Sequence, residues 1–196
     1  SNGTAVLGLG DIGPEASKPV MEGKALLFKI FSDIDVFDIE VDATDIDKFV
    51  ETVKAIAPTF GGINLEDIKA PESFEIERRL VEELNIPVMH DDQHGTAIIS
   101  SAAFLNALEI AEKDITKVKV VVSGAGSAAL ACANLYVLLG VKPENLYMFD
   151  VNGLLTTCRD DVSELQMRYA KSCDPEPLSE IIKDADMFLG LSVGGI

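Results

Sequence analysis

The sequence predicts an α/β fold built on parallel strands: a parallel-sheet βαβ unit over residues 1–92, then a truncated Rossmann dinucleotide-binding domain over residues 93–196. Three observations predict it. Short runs of Val, Ile, Phe and Leu alternate with amphipathic segments, the pattern of strands joined by crossover helices. A glycine loop, "VVVSGAGSAALACANL" at residues 120–135, directly follows one of these runs. The polar island "HDDQHGT" at residues 90–96 interrupts the pattern ahead of a long, Ala-rich apolar segment and marks the boundary.

Taken in order, strands are expected at Ala5–Leu9, Val36–Val41, Thr59–Asn64, Pro87–His90, Val118–Val122, Leu146–Phe149 and Met187–Leu191. Helices are expected at Val20–Phe31, Ile46–Ile56, Ser73–Leu84, Thr96–Glu112, Ser127–Leu139 and Leu178–Lys183. In the third helix Phe74, Glu77, Leu80, Val81 and Leu84 share the face that carries the apolar residues, with acids and the Arg78–Arg79 pair opposite. There is no fixed-period repeat and no low-complexity segment.

Composition narrows the function classes. The chain has 196 residues, 47% hydrophobic and 25% charged, the profile of a globular protein with ample core. Asp and Glu outnumber Lys and Arg by 33 to 16, a formal net charge of −17. With no basic cluster, this argues against nucleic acid or an anionic membrane as a partner. The three cysteines, Cys132, Cys158 and Cys173, lack CxxC spacing and are read as reduced thiols in a cytosol-like compartment, so a cytoplasmic location is expected. No apolar run reaches transmembrane length and no signal-peptide pattern opens the chain. Both ends look cut, as if the chain were part of a longer enzyme.

Two loops carry the glycine spacing of a dinucleotide site. In the second, "KVKVVV" reads as a buried strand, Gly124 and Gly126 permit a tight turn and close backbone approach, and Ala129 takes the third small position. A helix follows at once, so its free N–H groups can face a pyrophosphate. The next strand ends in Asp150, where an acid can accept the ribose hydroxyls and repel a 2′-phosphate, favouring NAD while leaving NADP open. In the first loop, Gly8, Gly10 and Gly13 are followed by Pro14, and "PEASKP" is expected to delay the helix to about Val20. A turn that lets some other group approach is the better reading there.

Acids follow two consecutive predicted strands: Glu66 and Asp67 in "GGINLEDIKAP", and Asp91 and Asp92 in "PVMHDDQHGT". Ligands collect at the carboxyl ends of parallel strands, so these acids should meet. Oxygen ligands without thiolate suit Mg²⁺ or Mn²⁺. His90 and His94 have i, i+4 spacing, but the Gly95 break and the want of a third nitrogen or sulfur ligand argue against zinc. Lys24, just inside the first predicted helix, completes the group. Either acidic pair alone would serve as well to cap a helix or solvate a loop. Their coincidence beside a dinucleotide domain is what favours chemistry.

The motifs "TAVLGLGDIGP", "PVMEGKALLFKIF", "TFGGINLEDIKAPESFEIE", "IPVMHDDQHGTAI" and "KVVVSGAGSAALACANL" resemble the malic enzymes, in particular their shorter, bacterial-type branch, in order along the whole chain. The resemblance implies a substrate and metal domain followed by the dinucleotide domain. It implies that Glu66, Asp67 and Asp92 ligate Mn²⁺ or Mg²⁺, that Lys24 is the general base, and that Asp91 positions and tunes it. It implies that Thr96, Gly124, Ala125, Gly126, Ser127, Ala128, Ala129, Asp150, Ser192 and Val193 bind NAD or NADP. The reaction implied is oxidative decarboxylation of malate to pyruvate and CO₂ by a homodimer or larger homo-oligomer. Gly8, Gly10 and Gly13 would then form a turn beside the metal pocket.

There are departures. Ala5 stands where the larger animal-type enzymes have an arginine that grips a malate carboxylate. The family's tyrosine acid and substrate-binding asparagines would lie outside the chain, and Tyr136, Tyr147 and Tyr169 fall in no matching motif, so the chain alone is expected to be inactive. Two other classes compete: a dinucleotide-binding module without chemistry, and a metal-independent amino-acid or hydroxy-acid dehydrogenase.

Overall fold

The structure, a computed structural model, describes residues 1–192. They form two compact units, one covering Ser1–Asp92 and one beginning at Gln93.

The first unit opens with a loop that closes on itself. Gly3 accepts the N–H groups of Ile12 and Gly13 on its carbonyl, and Val6 and Gly10 pair as an isolated antiparallel bridge. The expected strand Ala5–Leu9 is absent because Gly8 and Gly10, both at φ +76°, turn the chain back, leaving Leu7 almost fully exposed. Gly3 has the more demanding position: at φ +65°, a Cβ would stand 2.2 Å from the Gly13 carbonyl oxygen.

Helix α1 runs from Gly13 to Ser32, not from Val20. Pro14 does not delay it, because a proline in the first turn costs no hydrogen bond and its φ suits a helix start; Pro19 is accommodated inside the helix. The expected strand Val36–Val41 is likewise not a strand. Val36, Phe37 and Ile39 stay exposed along a cavity of about 530 Å³ instead of pairing in a sheet, while Val41 is buried in the core of this unit.

Helix α2 (Ile46–Ile56) starts at Asp45, whose carboxylate accepts the Lys48 N–H at 2.8 Å. It buries Phe49, Val50 and Val53 against Leu65, Ile68, Ile76 and Leu80, the core of this unit. Strands β1 (Ile63–Leu65) and β2 (Val88–His90) pair in parallel, Leu65 opposite His90, so their carboxyl ends lie side by side. Helix α3 (Glu72–Glu83) is the crossover between them. Its buried positions are Ser73, Ile76 and Leu80, while Val81, expected in the core, is half exposed.

Helix α4 spans Asp91–Ile110 and begins directly at the end of β2. Within the "HDDQHGT" island His90 ends β2 and Asp91–Thr96 are the first turns of the helix, not an interruption. Two carboxylates in the first turn are favourable against the helix dipole, and the helix absorbs Gly95 within its length.

In the second unit the sheet order is β5–β4–β3–β6. Strands β3 (Val120–Ser123), β4 (Leu146–Asp150) and β6 (Met187–Gly190) are parallel, and β5 (Gly153–Leu154) runs antiparallel at the edge. The near-continuous apolar run of β3 has the physical reason expected of a central parallel strand: all four residues are buried. Helix α5 (Ser127–Leu139) crosses from β3 to β4, with Ala129 and Ala133 buried and Tyr136 packing its ring at a tilt against Phe104 of α4. Two short helices, α6 (Glu164–Met167) and α7 (Leu178–Ile181), follow.

Cys158 and Cys173 form a disulfide, while Cys132 is free and buried. The expectation of three reduced thiols is corrected. The chain doubles back between residues 158 and 173 and brings the two Cα atoms to 5.3 Å, a proximity that spacing alone does not reveal. The cysteine count therefore lends no support to a cytosol-like compartment.

Candidate metal and dinucleotide sites

Three acids of the first unit converge. Glu66 and Asp67 follow β1, and Asp92 lies in the first turn of α4, just past β2. Parallel pairing of the two strands sets both groups at the same end of the ladder. Each of the three offers a carboxylate oxygen within 4.8 Å of the others. Asp67 is held in a left-handed conformation at φ +53°, its own N–H donating to Asp92 Oδ2 at 3.0 Å. Its carbonyl accepts the N–H groups of Thr4 and Ala5, so the opening glycine loop is tied to the cluster.

The electrostatics are unfavourable for bare carboxylates. Burial, reinforced by Glu66, pushes the Asp67 carboxyl up to about 6. Burial also raises Asp92, with the Glu66 and Asp67 charges adding to it. Asp67 Oδ2 is buried and accepts no hydrogen bond among the described residues. A buried, unpartnered carboxylate oxygen facing two further acids is costly unless a cation compensates it. The donor set is all oxygen, so the residues fit a hard divalent ion such as Mg²⁺ or Mn²⁺. Among the described residues neither His90 nor His94 belongs to the group: His90 is fully buried with Nε2 at 3.4 Å from Asp92 Oδ2, and His94 is exposed.

Lys24 reaches this cluster from α1. Its Nζ donates to Asp91 Oδ2 at 2.5 Å and lies 3.1 Å from Glu66 Oε2. Burial works to lower the Lys24 pKa, but the Asp91 hydrogen bond and the Glu66 charge outweigh it, so the net shift is upward. These side chains by themselves stabilise the ammonium, and a cation held by the neighbouring acids would offset that charge and favour the amine. Asn64, which sequence reasoning missed, donates Nδ2 to Glu66 Oε2 at 2.9 Å and fixes that carboxylate. Its one signal was its position on β1, two residues before Glu66.

The glycine loop of the second unit has a different design. Gly124, at φ +119°, permits the chain after β6 to pass: a Cβ would stand 2.6 Å from the Leu191 carbonyl oxygen. Gly126 caps α5 with no side-chain hydrogen bond, and a Cβ there would meet nothing within 4 Å. Open N–H groups in the first turn of α5, beside Ser127 and Ala128, fit a pyrophosphate. The carbonyl of Ala125 is taken by Gln166 Nε2, and Ala129 is buried against the sheet. Ser192 comes to the loop, its Oγ 3.3 Å from Ser123 Oγ. Thr96 is half-buried on α4, and Val193 lies outside the described residues.

Asp150 ends β4, but its carboxylate is engaged. Arg159 grips both oxygens, Nη1 on Oδ1 at 2.9 Å and Nη2 on Oδ2 at 2.5 Å, and Asn152 N–H adds a bond to Oδ1. Sequence reasoning missed Arg159; its signal was a lone basic residue in "LLTTCRDDV", nine positions past Asp150.

Among the described residues no helix is long and apolar enough to cross a membrane. The model of the malic enzyme N-terminal domain matches residues 1–81, and that of the malic enzyme NAD-binding domain matches residues 93–192. The whole chain is 61% identical to a segment of an NAD-dependent malic enzyme of Rhizobium meliloti, and 98% of it is 59% identical to a segment of an NADP-dependent malic enzyme of Escherichia coli. It spans 26% of the length of each. A crystal structure of an NAD-dependent malic enzyme from Thermotoga maritima superposes with a TM-score of 0.93 at 48% identity, covering all of this chain and 53% of that one. The chain belongs to the malic enzyme family.

Proposed function

We propose that this chain forms the metal-binding and dinucleotide-binding core of an enzyme that oxidises malate at its C2 alcohol, releases pyruvate and CO₂, and reduces NAD or NADP. The observation that carries the reading is the Lys24 amine lodged between Asp91 and Glu66, beside three converging carboxylates of which one has a buried, unpartnered oxygen.

Glu66, Asp67 and Asp92 hold a divalent cation in this reading, and Asn64 orients Glu66. The bound cation supplies charge cancellation for the substrate and acidifies its hydroxyl. Lys24 Nζ accepts the hydroxyl proton as general base. Its amine form becomes accessible when the negative charge that now raises its pKa is compensated. Asp91 keeps Nζ in place. In the second unit, the first turn of α5 holds the pyrophosphate of the dinucleotide. A cytoplasmic location and homo-oligomeric assembly belong to the same reading, on family membership and the exposed Ile30 and Phe31 of α1.

The test is a calorimetric titration of Mn²⁺ into the intact protein and its Asp92→Asn variant, paired with an assay for pyruvate and NADH from malate. The expected result is Mn²⁺ binding and turnover in the parent and loss of both in the variant. Equal Mn²⁺ affinity in the two would overturn the metal site, and NADH binding without turnover would favour a non-catalytic module.

A further inference from the structure

Arg159 is more than a partner for Asp150. Its Nε donates to Asp161 Oδ1 at 2.9 Å and its Nη2 donates to Asp161 Oδ2 at 2.7 Å, in addition to the two bonds to Asp150. Nη1 also points at the carbonyls of Gly153 and Leu154, each at 3.3 Å. A guanidinium has five N–H groups in a fixed fork, and protein oxygens here occupy the whole fork. Asn152 Nδ2 holds Asp161 in turn, at 2.8 Å. The three charged groups sum to −1, and Arg159 is largely buried between the two carboxylates.

This arrangement bears on a chemical choice. At the end of the second strand of a dinucleotide domain, an acid receives a ribose 2′-hydroxyl, while a nearby free arginine receives a 2′-phosphate. Here the acid and the arginine are both present. Asp150 alone can neutralise Arg159 but leaves part of its fork open. Asp161 closes that part and restores a net negative charge.

We propose that Asp161 sets the dinucleotide preference of this chain, holding the Arg159 fork away from a ribose 2′-phosphate and so favouring NAD over NADP. The inference rests on the dinucleotide reading above and adds a positioning residue to it. Arg159, and secondarily Asn152, hold the Asp161 carboxyl far below the usual carboxylate range, so the brake stays ionised across the working pH range. Removing its charge while keeping its shape leaves one acceptor oxygen and frees either Nε or one Nη2 N–H for an incoming phosphate. A hydrogen bond to a charged group is worth about tenfold or more in affinity.

Equilibrium binding of NADH and NADPH to the intact protein, followed by nicotinamide fluorescence, tests this without turnover. The parent should bind NADH the more tightly. Asp161→Asn should tighten NADPH about tenfold while leaving NADH within about threefold, and Asp161→Glu should keep the parental ratio. Adding Arg159→Gln to Asp161→Asn should erase the gain. An unchanged NADH-to-NADPH ratio in Asp161→Asn, a parental preference for NADPH, or equal weakening of both ligands would overturn the proposal. A parent that binds neither nucleotide would sink the dinucleotide reading itself, so the two failures are distinct.

Discussion

Lys24 and Asp91 are 67 positions apart in sequence and share a 2.5 Å hydrogen bond that ties α1 to the first residue of α4. Asp91 is the group that raises the Lys24 pKa most, against the lowering effect of burial. Lys24→Ala should reduce kcat of the intact enzyme by about 10²–10⁴-fold, the usual worth of a general base, with Mn²⁺ affinity little changed. Asp91→Asn should act differently. Without the Asp91 charge the Lys24 pKa falls, the amine form appears at lower pH, and the acid limb of the kcat profile moves toward acid. A pH–rate series on the two variants checks both statements.

The Asp67 carboxyl is raised from 3.8 to about 6 by burial, with Glu66 adding to it. Between those values the folded protein binds more protons than the unfolded chain, so stability falls as pH rises through this window. In the presence of a chelator, thermal melts should show a higher Tm at about pH 5 than at about pH 7 from this group. Asp67→Asn should flatten that dependence, and added Mn²⁺ should stabilise the parent most at the upper pH. A steeper slope in the variant would contradict the assignment.

Gly124 cannot be replaced cheaply. Gly124→Ala puts a Cβ 2.6 Å from the Leu191 carbonyl oxygen at φ +119°. The strain should cost about 1–3 kcal/mol or more and weaken NADH binding, because relief requires moving the loop. Gly126→Ala meets no atom within 4 Å, so it should leave the melting temperature nearly unchanged. Its effect, if the loop receives a ligand, should appear in NADH affinity alone. Melting and binding curves on the pair separate the two glycines.

Leu80 is fully buried at the centre of the first core, with Phe49, Val50 and Ile76. Leu80→Ala should destabilise by about 2–5 kcal/mol, the range for a leucine truncated in a packed core. Val81→Ala, one position on and half exposed, should cost far less. Urea unfolding midpoints compare them.

Much of this was legible in the residues. The run of valines before Gly124 marked a central strand because a strand covered on both faces has no polar positions to spare. The acids after β1 and β2 met because parallel strands deliver their carboxyl ends to one edge. What periodicity could not show was context. Pro14 reads as a helix breaker until one sees it in a first turn, where no N–H is needed. Val36–Val41 has a strand's composition but no partner ladder, and sheet formation depends on the neighbour as much as on the segment. Asp91 and Asp92 look like a break in an apolar pattern, yet the dipole makes acids natural at a helix start. Arg159 and Asp161 were illegible for another reason: their meaning lies in which side chain turns toward Asp150, and that depends on the β5 turn.

The bond between Cys158 and Cys173 encloses α6 and the Arg159–Asp161 segment in a covalent ring. A protease that nicks the chain anywhere inside that ring leaves both pieces attached, travelling as one band on a denaturing gel. Only a reductant would let them part, and the nicked second unit would keep its gripping arginine on the same molecule as the acid it grips.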